Sequence, residues 1–321
     1  MSDNQKLYIR VDGGGKIGLG HLNRCIALAL IAKEDFDITF VFRFAPEYLL
    51  DKIHSYGIST LKTDDEIGWL KVLNKNDIVL LDGYDFHIDL QLRIREIAHK
   101  LIIIDDIYDR PLKADLIINY SPQAENIDYR KDGNENLALG VKYLILNQIF
   151  LAQAKVPYNK KTENYCLICM GGSDSKNYTL HALTKAISTN FASKYYVVLG
   201  PNYMFGEKIQ IIAQKHPNII IVNAPSQEEI FDLMLKCDKA ICASGTLSFE
   251  YICTGGMLGI IKTADNQSNI YDYLISNGLA FDFLSEKEYL VDALQIERQK
   301  CLINGQSPAN LLQKLKELQH A

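Results

Sequence analysis

The 321-residue chain has no uninterrupted apolar run approaching the roughly 18 residues that a bilayer span needs, so no membrane span is expected. Met1 to Lys6 carry no apolar targeting core, which places the expected location in the cytoplasm. A basic excess is also missing: the formal net charge is −5 and the pI is near 5.8, which argues against a nucleic acid partner. Seven cysteines, an odd number scattered through apolar segments such as Cys166, Cys169, Cys242 and Cys253, imply reduced core thiols rather than a disulfide framework. Cys166-Leu-Ile-Cys169 has no second pair at zinc-site spacing, and strand residues three apart point to opposite faces, so it predicts core and no metal. No G-x-S-x-G elbow, clean G-x-G-x-x-G, solenoid repeat or low-complexity tract occurs. His54, His87, His99, His181, His216 and His320 show no ligand-like clustering.

What is present is a regular alternation. Short apolar runs at Leu7–Val11, Ile38–Phe42, Ile78–Leu81, Leu101–Ile104 and Leu116–Ile118 alternate with amphipathic stretches. The second half repeats the scheme at Tyr165–Met170, Tyr195–Leu199, Ile219–Val222, Ala240–Cys242 and Met257–Ile261, with helical patterns between them such as Gln227–Lys236. These runs lack in/out alternation, so they predict strands buried on both faces: an α/β protein with two doubly wound parallel-sheet domains. The expected limits are 1–152 for the first domain, 153–163 for a linker, 164–305 for the second domain and 306–321 for a closing helix, whose apolar face includes Leu311, Leu312, Leu315 and Leu318. In open parallel sheets ligands sit beyond the carboxyl ends of the strands, so a central cleft between two such rims is the expected ligand site.

The segment from Arg10 to Arg24 puts Asp12, Gly18, Gly20 and His21 on a turn from an apolar strand into a helix. Glycine permits close backbone approach, while a helix start favours a neutral imidazole able to accept a proton. Asp82 and Tyr84 follow one strand and Asp105-Asp106 another, so all converge on one rim with His21. Each acid could also serve as a helix cap, but separate capping does not predict a shared edge. In the second half, Gly171, Gly172 and Ser173 follow a strand and precede a helix expected to begin near Asp174 or Ser175. Ser244, Gly245 and Thr246 open another helix, with Glu250 one turn further along. Two such helix starts suit a diphosphate, and Glu250 suits ribose hydroxyls.

In order along the chain, R-x-D-x-x-x-x-I-G-x-G-H-x-x-R at Arg10 to Arg24, Asp82 to Tyr84, Asp105-Asp106, Leu116 to Asn119, Met170 to Asp174, Ser244-Gly245 with Glu250, and Asn266-Gln267 resemble the UDP-2,4-diacetamido-2,4,6-trideoxy-β-L-altropyranose hydrolase family of pseudaminic acid biosynthesis. That family is related to MurG-type glycosyltransferases of GT-B fold. The resemblance covers nearly the whole chain and implies a metal-independent, cofactor-free UDP-sugar hydrolase. It implies His21 as the base activating water, Asp12 and Tyr84 at the sugar, and UDP held by the second domain. The other matching positions, Arg24 and Asn119 among them, become substrate-binding candidates. Water is expected to attack the anomeric carbon with inversion. Gly83 and Asn147 depart from the family pattern, which widens the expected substrate to related diacetamido or monoacetamido UDP-sugars. A GT-B glycosyltransferase, a 2-epimerase and a non-catalytic UDP-sugar-binding module are the competing readings. The oligomeric state stays open, a monomer included.

Overall fold

The computed structural model describes residues 4–14, 19–159, 161–172, 174–285 and 293–319. The chain divides into two compact units, Met1–Gln148 together with Gln306–Ala321, and Ile149–Gly305.

In the first unit, Lys6–Val11 (β1), Asp37–Phe42 (β2), Ser59–Lys62 (β3), Ile78–Asp82 (β4), Lys100–Ile104 (β5), Leu116–Asn119 (β6) and Leu137–Leu139 (β7) form a seven-stranded sheet. The order is β3, β2, β1, β4, β5, β6, β7 and every pairing is parallel. Alternate residues of one strand enter different cores. Leu7, Ile9, Ile78, Leu80, Ile102 and Ile104 pack on one face, and Tyr8, Val79, Leu81, Leu101 and Ile103 on the other. This two-sided burial is why the apolar runs read as continuous rather than alternating. The closing helix, Ser307–Gln319, belongs to this unit, where Leu311, Leu315 and Leu318 join the first of those cores.

The second unit repeats the plan with Tyr165–Cys169 (β8), Lys194–Leu199 (β9), Ile219–Asn223 (β10), Lys239–Ala243 (β11), Met257–Ile261 (β12) and Phe281–Asp282 (β13), ordered β10, β9, β8, β11, β12, β13 and again all parallel. The three strands that the sequence pattern does not announce, β3, β7 and β13, are all edge strands. They are short, and none has the continuous burial that marks the inner strands. Six cysteines are buried free thiols and Cys301 is exposed.

Strand order reverses between β1 and β4 in the first unit and between β8 and β11 in the second. Open α/β sheets bind ligands at such points, because the flanking connections leave on opposite faces and open a crevice. His21 and Asp82 follow or end the strands at the first switch point, and Gly171-Gly172 and Ser244-Gly245 follow those at the second. Among the described residues, no helix is long and apolar enough to cross a membrane.

Candidate functional site

The helix Gly20–Ala32 starts just past β1 and places His21 at its second position. Asp82, the last residue of β4, is 1 % exposed and directly faces this helix start. His21 Nδ1 lies 2.7 Å from Asp82 Oδ1. Arg24, one turn along the same helix, donates from Nε to Asp82 Oδ2 at 2.6 Å and from Nη2 to Oδ1 at 2.5 Å. A third bond, Nη1 to Asp106 Oδ2 at 2.8 Å, joins the acid that follows β5. Burial opposes the charge on Asp82, but the Arg24 cation and the hydrogen bonds from Arg24 and His21 outweigh it and hold the carboxyl at about 2. Asp82 is therefore ionised, and we assign the Nδ1 proton to the bond with it. That tautomer leaves Nε2 as the basic nitrogen, and Nε2 has no hydrogen-bond partner among the described residues. The side chain is 8 % exposed.

Tyr84 stands edge-on to the imidazole, with ring centroids 4.8 Å apart, and its hydroxyl donates to Asp106 Oδ2 at 3.3 Å. Burial, then the Asp106 charge, raise its pKa, so the phenol stays protonated and able to donate. Among the described residues, Asp106 Oδ1 is a buried acceptor without a partner. Such an oxygen near an imidazole suits an amide N–H or a hydroxyl of a ligand.

Other first-unit candidates sit elsewhere in the network. Asp12 accepts the backbone N–H groups of Arg43 (2.7 Å) and Phe44 (3.0 Å) and a bond from Arg10 (2.7 Å), so it ties the end of β1 to the end of β2. No hydrogen bond or ion pair joins Asp12 to His21 among the described residues. Asp105 accepts from the N–H of Tyr108 and from the Tyr129 hydroxyl, and Asn119 donates to that same hydroxyl while accepting from Ser121. These two residues knit the loops after β5 and β6. Gly20 opens the helix, and Gly18 lies outside the described residues. At Gly83 a Cβ would come within 3.0 Å of the Phe86 ring, and the Arg110 guanidinium donates to its carbonyl at 3.3 Å.

In the second unit the helix after Gly171-Gly172 begins at Tyr178, not at Asp174 or Ser175. Asp174 is the reason. Its carboxylate accepts the N–H groups of Tyr178 (2.8 Å) and Thr179 (2.7 Å), so a built-in anion fills the helix start expected to receive a phosphate. Gly171 keeps φ at +90°, and a Cβ at either glycine would meet nothing within 4 Å, so the turn faces open space. Ser173 lies outside the described residues. The helix Thr246–Thr254 differs: among the described residues no side chain caps it, and with the Ser248 N–H taken by the carbonyl of Gly245 at its N-cap, the N–H groups of Thr246 and Leu247 are left without a side-chain partner. Gln267 flanks this start, its Oε1 accepting from Ser244 Oγ (3.3 Å) and from the Thr263 N–H (2.9 Å), while Asn266 is exposed in the adjoining turn. Glu250 is 5 % exposed and accepts one long bond, 3.4 Å, from Gln227. Burial raises its carboxyl to about 7, against the smaller effect of Gln227. Among the described residues, no group of three or more His, Cys, Asp or Glu side chains could hold a metal ion.

No family model matches this sequence. An uncharacterized protein of Methanocaldococcus jannaschii is 28% identical over 282 residues, which is 83% of this chain but only 57% of that protein. The UDP-2,4-diacetamido-2,4,6-trideoxy-beta-L-altropyranose hydrolase of Campylobacter jejuni is 25% identical over 87% of this chain and 99% of its own. The spore coat polysaccharide biosynthesis protein SpsG of Bacillus subtilis is 25% identical over 85% of this chain and 82% of its own. Among solved structures, the glycotransferase of kitacinnamycin superposes with a TM-score of 0.66 at 12% identity, covering 98% of this chain and 99% of that one. Acinetobacter baumannii MurG gives 0.55 at 14% identity, covering 98% and 95%. The chain has a GT-B fold.

Within that GT-B framework, several site-supporting residues escape the sequence patterns. Tyr120 lies beneath Arg24, whose guanidinium carbon is 6.0 Å from the ring centroid. Glu66 pairs with the fully buried Arg10 from a loop beyond β3. Gln227 reaches Glu250 from a separate helix. Only Arg10 gave a signal: a cation inside the apolar run Leu7 to Val11 has to find a carboxylate.

Proposed function

We propose that this protein hydrolyses a UDP-linked acetamido sugar, UDP-2,4-diacetamido-2,4,6-trideoxy-β-L-altrose or a close relative, to free sugar and UDP, for nonulosonic acid biosynthesis. The observation that carries the reading is the 2.7 Å contact between His21 Nδ1 and the ionised Asp82, because it leaves Nε2 free to take a proton. The relative from Campylobacter jejuni, named as a hydrolase of this kind of substrate, points the same way.

In the proposed reaction His21 Nε2 accepts a proton from water as the water oxygen bonds to the anomeric carbon. The bond from that carbon to the β-phosphate oxygen breaks, and its electron pair leaves on UDP. Attack from the face opposite UDP inverts the anomeric centre. Tyr84 and Asp106 supply a donor and an acceptor for the sugar. Within the second unit, the start of Thr246–Thr254, which no side chain caps among the described residues, is the candidate for the diphosphate through its N–H groups and positive dipole end, and Glu250 the candidate for the ribose hydroxyls.

The test is a panel of UDP-linked acetamido sugars in heavy-oxygen water, with UDP release as readout. Label in the freed sugar is expected, whereas label in UDP would place the attack at phosphorus and reject the mechanism. A glycosyltransferase is the second reading, favoured by the glycosyltransferases among the structural neighbours. Turnover that depends on an added acceptor would establish it instead.

A further inference from the structure

We infer that Arg24 is a positioning residue that acts on the base through Asp82: it locks both oxygens of that carboxylate and sets a cation against the imidazole, so that Asp82 orients His21 without drawing a proton onto it. The inference rests on the reading of His21 as the base.

Three distances carry it. His21 Nδ1 lies 2.7 Å from Asp82 Oδ1 and 2.8 Å from Arg24 Nη2, and those two atoms are themselves bonded. A unit negative and a unit positive charge at nearly equal distance from a titrating group cancel in first order, whatever the local dielectric. A carboxylate alone on an imidazole favours the charged form and would keep a base protonated, which defeats it near neutral pH. With Arg24 in place, the orienting hydrogen bond remains while the electrostatic pull is offset. The fork geometry matters as well, since one guanidinium meets Oδ1, Oδ2 and the Asp106 carboxylate together, which a lysine cannot do.

The other groups around the ring do not replace this balance. Tyr84, from the loop after β4, presents a neutral edge. Asp106, from the loop after β5, and Tyr120, after β6, reach the imidazole only through Arg24 or Tyr84. Cys25, on the helix of His21 itself, gives its thiol to Asp82 Oδ2 at 3.2 Å.

The experiment is an NMR titration of the His21 ring signals, assigned with the H21N spectrum, in wild type, R24Q, R24K, D82N and the double variant R24Q/D82N. R24Q removes the cation and leaves the carboxylate, so the midpoint rises by about 1–2 pH units. D82N does the reverse and the midpoint falls. R24K keeps the charge and holds the wild-type midpoint, while kcat drops because the fork is lost. The double variant removes both charges and returns the midpoint to within about 0.5 pH unit of wild type. If Arg24 were merely structural, R24Q would titrate like wild type and the double variant would fall by about a unit with D82N; either result overturns the inference. Should R24Q fail to fold with Asp82 left unpaired, the double variant decides alone, because it removes both buried charges together and leaves only the part-exposed Asp106 carboxylate, still bonded to the Tyr84 hydroxyl, without its cation. No sugar substrate enters this titration. An unmoved midpoint in an enzyme that turns over UDP-sugars sinks this inference only, and the expected shifts in a protein that hydrolyses none sink the proposed reaction only.

Discussion

Replacing Glu250 with glutamine tests the second unit without reference to any substrate. The carboxylate is almost wholly buried, it has one long hydrogen bond from Gln227, and burial lifts its pKa to about 7. Its folded-state pKa is above the unfolded value, so its contribution to stability is fully present below the ordinary glutamate range and is lost as pH rises through about 7. At about 1.4 kcal/mol per pH unit between folded and unfolded titration, ionised Glu250 costs the unit at most about 3 kcal/mol above pH 7. E250Q keeps the shape and removes the charge. Calorimetric melts of the two proteins should therefore nearly coincide at pH 5, with E250Q rising to about 6–10 °C above wild type at pH 8. Isothermal titration with UDP supplies the functional half. If ribose hydroxyls donate to ionised Glu250, wild-type affinity rises with pH across the same window and E250Q loses that dependence. A melting difference that is equal at both pH values, or an E250Q protein that melts lower at pH 8, would refute the reasoning.

Two further substitutions follow from carboxylates whose hydrogen bonds tie backbone segments together. Asp174→Ala frees the Tyr178 and Thr179 N–H groups and should cost the second unit about 1–2 kcal/mol in urea denaturation, while the Gly171-Gly172 turn keeps its form. Asp12→Asn leaves the buried Arg10 with Glu66 as its one carboxylate partner among the described residues and weakens the tie to Arg43 and Phe44. It should destabilise the first unit by about 2–4 kcal/mol in the same assay, whereas an unchanged midpoint would show that this network carries no load.

Much of the architecture was legible because parallel strands buried on both faces advertise themselves as continuous apolar runs. The inner strands of both sheets appear in the sequence within a residue or two of their observed limits, and Gln227–Lys236 is a helix at the expected bounds. The edge strands β3, β7 and β13 were not legible, since an edge carries less apolar burial and two to four residues give no period. In the site, the shared rim of His21, Asp82, Tyr84 and Asp106 followed from each acid or tyrosine trailing a strand. Which carboxylate meets the imidazole did not follow. Asp12 and Asp82 both lie at strand ends beside the helix start, and only strand register separates them: Asp82 sits level with Val11 on β1, whereas Asp12 continues past it toward the end of β2. Asp174 was misplaced for a related reason, because a carboxylate just before a helix reads alike whether it starts the helix or caps it from four residues away.

The most direct measurement is single-turnover hydrolysis of the best UDP-linked acetamido sugar by His21→Asn beside wild type, with UDP affinity measured on both proteins. With His21 as the base, the rate falls by about 10²–10⁴-fold and UDP binds as before. A variant that hydrolyses within about tenfold of the wild-type rate would contradict the assignment of His21 as the group that takes the proton from water.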